Sequence, residues 1–182
     1  MTYYGAKELA ASFRTVRGNT IKIAEDIPED KYGFSPAPGT RTVAQTLVHI
    51  ALVPSIGYQM HAVEKRTSLE GFDFMKLFGA HLAELEKPRT KAQIVTLLRE
   101  EGDKWAGWIE TLPEDFLDDV LTMPQGAHPP SRTRFDMLLG TKEHEMHHRG
   151  QLMLVERILG ITPHLTRDMQ ARMAAATAQQ KT

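Results

Sequence analysis

The sequence predicts an all-α protein, a four-helix bundle with short additional helices or strands in its connections. Three observations carry that expectation. Apolar residues recur at helical rather than strand spacing through most of the chain. The long periodic segments close on Pro and Gly stop signals. No βαβ pattern and no internal repeat is present. With 182 residues, 41% hydrophobic and 25% charged, the chain has the size and balance of one well-buried domain.

In the first helix, Leu9, Phe13, Val16, Thr20, Ile23 and Ile27 fall at alternating steps of four and three, and Pro28 ends the run. A turn-rich connection, PEDKYGFSPAPGT, follows. The second helix starts at Thr40 or Thr42, either of which suits an N-cap, and runs through TVAQTLVHIALVPSIGYQM. Leu52, Val53, Ile56 and Met60 share a face with His49. Pro54 has no N–H for the carbonyl of Ile50, which predicts a kink just after His49. Residues 63–89 are less regular, and GFDFMKLFGAHLAEL is a candidate short helix packed on the bundle. The third long helix spans about Thr90 to Leu112, with Ile94, Leu97, Leu98, Trp105, Trp108, Ile109 and Leu112 on its apolar side. In the loop beyond it, DDVLTM is a candidate short strand. The fourth helix runs from Ser131 or Thr133 to Leu159, with Gly160 just past its last turn and Pro163 beyond. Residues 1–165 are expected to form the bundle, and 166–182 a C-terminal tail, helical at first and then disordered.

Composition excludes several functions. Lys and Arg number 22 against 23 Asp and Glu, a net charge of −1, and no cluster of Lys/Arg interleaves with aromatics. Such a surface offers no field for nucleic-acid binding. Cysteine is absent, so thiolate ligands, disulfides and a cysteine nucleophile are ruled out. Neither a signal-type h-region nor a membrane-spanning run is present. The expected protein is cytoplasmic and acts on a small molecule.

The stretch that carries chemistry is HEMHHRGQ, His144 to Gln151. On a helix, Leu138, His144, His148, Leu152, Val155 and Leu159 fall on one broad stripe facing the core. Glu145 lies at its edge and His147 about 100° from its middle. Histidines four apart project from the same face, so the His144 and His148 rings can converge on one ion. His49, among the core-facing residues of the second helix, is the best candidate for a third ligand. Three imidazoles leave a coordination position open to water, the mark of a catalytic zinc site. The same letters spell H-E-x-x-H, the zinc-protease signature. The metzincin extension needs Gly where Gln151 stands and His where Leu154 stands, and no suitably placed downstream carboxylate supports a thermolysin-like site.

HEMHHRGQLMLVERILGITP resembles the C-terminal signature of the DinB/YfiT-like superfamily, H-x-x-x-H-R-G-Q-L. IPEDKYGFSPAPGTRTVAQTLVHI is similar to that family's second element, a Pro-rich lead into a helix bearing one His. The resemblance spans about Tyr4 to Pro163. It implies an up-down-down-up four-helix bundle, commonly a homodimer, and one divalent ion per chain, zinc or nickel, held by His49, His144 and His148. His147 is not a ligand in that pattern. Members include bacillithiol S-transferases, a mycothiol-dependent maleylpyruvate isomerase and proteins described as metal-dependent hydrolases. The family name comes from DNA-damage-inducible expression.

The expectation is therefore a metal-dependent enzyme that activates a low-molecular-weight thiol, as an S-transferase, or water, as a hydrolase. With no cysteine in the chain, the sulfur would arrive with a cosubstrate. Glu145 as base or partner of a ligand, Gln151 on the pocket side of His148, and Tyr58 as proton donor are the candidate catalytic residues. The rival is a non-catalytic metal-binding stress-response protein.

Overall fold

The computed structural model describes residues 4–179. Helix α1 (Ala6–Asp26) opens with the Glu8 carboxylate accepting the Gly5 N–H at 3.0 Å. All six residues of its expected stripe are buried. Helix α2 (Val43–Tyr58) starts at Thr42, whose hydroxyl accepts from Gln45 N–H at 3.1 Å while the Gln45 side chain accepts from Thr42 N–H at 3.0 Å. This reciprocal cap decides between the two candidate threonines. Thr40 instead donates to the Ala37 carbonyl in the preceding loop. Past Pro54 the helix loosens into a π-helical turn, Gln59–Val63.

Helix α3 (Phe74–Leu85) lies in the irregular stretch and packs on α2. Helix α4 (Lys91–Glu110) is capped by Thr90 and Gln93 in the same reciprocal way. After the short α5 (Glu114–Asp118), β1 (Val120–Thr122) pairs antiparallel with β2 (Ser131–Thr133), Leu121 opposite Arg132. Ser131 therefore belongs to a strand, and α6 (Arg134–Ile158) starts from Thr133, whose hydroxyl accepts the Asp136 N–H. The helix stops where Gly160 takes a φ of +79°, a conformation that favours glycine. Helix α7 (His164–Gln179) follows, and the expected disordered end lies outside the described residues. No described helix is long and apolar enough to cross a membrane.

The long helices are α1, α2, α4 and α6. Helix α1 packs on α4 and α6, and α2 packs on the same two, which places α1 and α2 on a diagonal. The Tyr32 hydroxyl donates to Ala24 O, and Tyr32 O accepts from Ala44 N, so the end of α1 meets the start of α2. Lys91 Nζ donates to the carbonyls of Glu25 and Ile27, so α4 also starts at the end of α1. Arg17 pairs with Glu145 and Lys142 bonds Ser12, which sets α6 parallel to α1. The order is up-down-down-up.

Two apolar clusters fill the bundle. One holds Ile23, Leu47, Ile50, Leu98 and Leu152; the other holds Leu9, Phe13, Trp105, Ile109 and Leu138. Between them lies the Arg17 guanidinium, only 3% exposed. Its Nε and Nη2 donate to the Glu145 carboxylate at 3.0–3.1 Å. Nη1 donates to Leu98 O at 2.7 Å and Nη2 to Ile50 O at 3.1 Å. The carbonyl that Pro54 leaves free is thus taken up by Arg17. A Cβ at Gly102 would meet Arg17 Cγ at 2.9 Å, so glycine there makes room for the guanidinium.

The expected face of α2 needs correction. Leu47, Ile50 and Ala51 face the main core, whereas Leu52 and Ile56 are only half-buried and line a cleft with Leu77, Ala80 and His81 of α3. Helix α2 is apolar on two sides, and α3 covers the second.

Removing one partner of a buried ion pair leaves a charge without compensation. Arg17→Met alone or Glu145→Leu alone should each lower the unfolding free energy by about 3–5 kcal/mol. The double substitution should recover much of that loss, as measured in urea.

Glu156 is fully buried, and neither carboxylate oxygen has a hydrogen-bond partner among the described residues. Burial, with Asp26 adding to it and Arg167 and Arg157 opposing, pushes its pKa up from 4.5 to about 7. A carboxyl raised in the folded state contributes stability that is full below pH 4.5 and is lost as pH rises through about 7. Glu156→Gln should therefore raise the urea midpoint at pH 8 and leave it nearly unchanged at pH 4.5.

Candidate metal centre

Three imidazoles from two helices converge at the level of the Arg17 layer. His49 follows Val48 and precedes Ile50 on α2, and His144 and His148 sit one turn apart on α6. His49 Nε2 is 3.1 Å from His144 Nε2, and His148 Nε2 is 3.2 Å from the same atom. His49 and His148 are buried and His144 half-buried.

Burial, reinforced by the Arg41 charge and by the other rings, lowers the pKa of His49 to about 3. Burial likewise lowers His144 to about 4, with His148 and His147 adding to it. His148 is lowered by burial against the opposing Gln151 bond. Neutral rings retain the lone pairs a metal requires.

The outer ring nitrogens select which lone pairs are free. Gln151 Oε1 lies 2.8 Å from His148 Nδ1. An amide oxygen accepts, so Nδ1 carries the proton and Nε2 presents a lone pair. The same amide's Nε2 lies 3.0 Å from His147 Nε2 and donates to it. On α2, His49 Nδ1 is 2.7 Å from His81 Nε2. The contact suits either direction, and the tautomer in which His49 Nδ1 donates to His81 leaves the His49 Nε2 lone pair facing His144.

A single His144 proton can serve only one of the two lone pairs facing it, whereas a divalent cation accepts from all three. Nitrogens each about 2.0–2.1 Å from a tetrahedral zinc stand about 3.3 Å apart. The His49–His144 and His148–His144 contacts of 3.1 and 3.2 Å match that spacing, and a ligand atom of each ring lies within 4.8 Å of the others, a donor set that suits a divalent ion.

Beside the centre lies a cavity of about 660 Å³. Its walls come from the α1–α2 connection (Thr40, Arg41), the start of α2 (Val43, Thr46) and α6 (His148, Gln151). His147 is exposed and lines the rim.

Two candidate catalytic residues are placed elsewhere. Glu145, 2% exposed, gives both carboxylate oxygens to Arg17, so it is a core ion-pair partner and not a base beside the histidines. Tyr58 sits nine positions after His49 on α2, about 13 Å along the axis. It packs edge-on against Trp108, under the Lys104 ammonium, and does not reach the cluster. Gln151 is brought to the site, as the partner of His148. His81 was not singled out from the sequence. It lies in the stretch with the weakest periodicity, and its one signal is a histidine within a largely apolar short helix.

Both elements, the single His of α2 and the His-x-x-x-His of α6, lie within residues 12–152, which match a family model described as the DinB superfamily. The chain belongs to the DinB superfamily. This DinB-superfamily chain is 24% identical over 160 residues to the uncharacterized protein YjoA of Bacillus subtilis, covering 86% of this chain and 92% of YjoA. The crystal structure of YjoA, described as DinB-like, superposes with a TM-score of 0.60 at 22% identity, covering 85% of this chain and 94% of that one. B. subtilis YfiT superposes with a TM-score of 0.70 at 15% identity, covering 89% of this chain and 91% of that one. YfiT is described as a probable metal-dependent hydrolase with an unusual four-helix bundle topology. At these identities the two structures speak to the fold.

Proposed function

We propose that this DinB-superfamily protein is a metal-dependent hydrolase of a small molecule, with one zinc or nickel ion held by His49, His144 and His148. The observation that carries the reading is the approach of His49 Nε2 and His148 Nε2 to His144 Nε2, with a ligand atom of each ring within 4.8 Å of the others, beside a cavity lined by one of the same rings. The description of YfiT as a probable metal-dependent hydrolase supports it.

A divalent ion at such a centre acts as a Lewis acid and lowers the pKa of the water or thiol it polarises. The chain's own residues prepare the place. Gln151 locks the His148 tautomer, and His81 orients the His49 ring through its outer nitrogen. Leu152 and Val155 on the cavity wall keep one side of the centre dry, which strengthens every polar interaction there. Arg17 holds Glu145 away, so no carboxylate competes for the histidines.

Untagged protein reloaded with zinc should hold about one ion per chain by elemental analysis. His148→Ala should drop this below about a tenth, and His147→Ala should leave it unchanged. His81→Ala should weaken zinc affinity by about 10–100-fold in chelator competition.

The activity test is hydrolysis of p-nitrophenyl esters and related small substrates, lost on chelation and restored by zinc or nickel. Turnover that requires a glutathione-, bacillithiol- or mycothiol-type donor would move the reading to S-transfer. Full occupancy with no turnover of any kind would make the protein a metal-binding one.

A further inference from the structure

The cavity beside the histidines contains a cation that the fold does not use. Arg41 is half-buried in its wall, one residue before the Thr42 cap that fixes the start of α2. Elsewhere on the bundle, Arg17, Arg66, Arg89, Arg132 and Arg134 each donate to a carboxylate or carbonyl. Arg41 has no hydrogen bond or ion pair among the described residues. Arg149, half-buried and likewise without one, stands outside the cavity lining. A guanidinium removed in part from water without a counter-charge is costly, and it is relieved when an anion enters.

The remaining walls say what accompanies the anion. Pro36, Val43, Leu152, Leu154 and Val155 present apolar surface, while His148 and Gln151 stand at the metal side. Among the described residues no carboxylate lines the cavity. Its contents therefore face a positive and apolar enclosure with a metal centre at one side.

We infer that Arg41 is the recognition group for the substrate, and that the substrate is a small apolar molecule bearing an oxyanion, a carboxylate or a phosphate. The inference rests on the hydrolase reading and deepens it. The guanidinium fork takes two oxygens of the anion side by side. The apolar body lies along Val43, Leu152 and Val155, and the bond to be cleaved is presented at the His148 side. Arg41 thus selects by charge and orients, while the histidine centre does the chemistry.

Binding of benzoate, phenyl phosphate and the neutral isostere benzamide would be measured by calorimetry on full-length protein, zinc-loaded and chelated. Zinc content would be determined on the same samples. Chelation removes direct capture of the anion by the metal, so the metal-free arm isolates Arg41. Wild-type protein is expected to bind one or both anions about tenfold or more tightly than benzamide in both arms. A preference for benzoate identifies a carboxylate, and a preference for phenyl phosphate a phosphate ester. Arg41→Gln should lose about tenfold or more on the anions in both arms, with benzamide affinity, zinc content and thermal midpoint unchanged.

The inference is overturned if Arg41→Gln binds the anions as wild type does, if wild type binds neither anion, or if anion binding vanishes on chelation. Failure of the metal reading looks different, because wild type would then hold no zinc while its anion binding, and the loss in Arg41→Gln, would persist.

Discussion

The Arg17–Glu145 pair is the constraint on which the rest of the bundle rests. One guanidinium touches four helices, since it belongs to α1, binds the Glu145 carboxylate of α6 and accepts the company of two carbonyls, Ile50 of α2 and Leu98 of α4. A dry, multiply bonded cation has a single geometry that satisfies all its donors, unlike an apolar contact, which tolerates sliding. Each of its partners has a local cause. Pro54 frees the Ile50 carbonyl by lacking an N–H, and Gly102 leaves the space the guanidinium fills. Glu145 is the next residue after His144, so fixing its direction also fixes the rotation of α6 about its axis. His144 and His148 then have to face α2, where His49 precedes the carbonyl that Arg17 holds. The structural ion pair and the candidate metal centre are two faces of one registration.

That dependence explains what could and could not be read from the sequence. The four long helices were legible because each buries one stripe against the core, and the caps at Thr42, Thr90 and Thr133 leave local signatures. His49, His144 and His148 were legible because a pair at helical spacing plus one core-facing histidine is a local pattern. Glu145 was misread, since its letters fit a base in H-E-x-x-H while its partner, Arg17, lies 128 residues away. Nothing local announces such a pairing. Tyr58 failed for a simpler reason. Its hydroxyl suits a proton donor, but nine residues of helix separate it from His49 and carry it away from the cluster. His81 was missed because α2 is apolar on two faces, and one-face reasoning assigned both to a single core. A second apolar face calls for a fifth covering element, and α3 is that element.

Two of the buried polar regions are built in opposite ways. Around Arg17 each guanidinium nitrogen has an acceptor, the side chain is buried, and its bonds register four helices. Around the histidines, donors and acceptors are matched only on the outer ring nitrogens, by Gln151 and His81, and the inner ones are left facing one another. Fold stability alone would favour the first arrangement everywhere, because unmatched buried polar atoms cost free energy. The second is maintained against that cost, as sites of chemistry commonly are.

The same logic gives the metal-free state a definite character. One His144 proton can satisfy only one of the two contacts of 3.1 and 3.2 Å, and burial opposes a second proton, since the His49 and His144 pKa values lie far below neutrality. The rigid outer bonds and the Arg17 registration stop the rings from swinging apart. On the proposed reading, a cation would find its ligands already placed, so little ordering entropy would oppose binding. Ion binding and fold stability would then be linked: the bundle supplies the preorganisation, and an ion held by His49, His144 and His148 would return free energy to it.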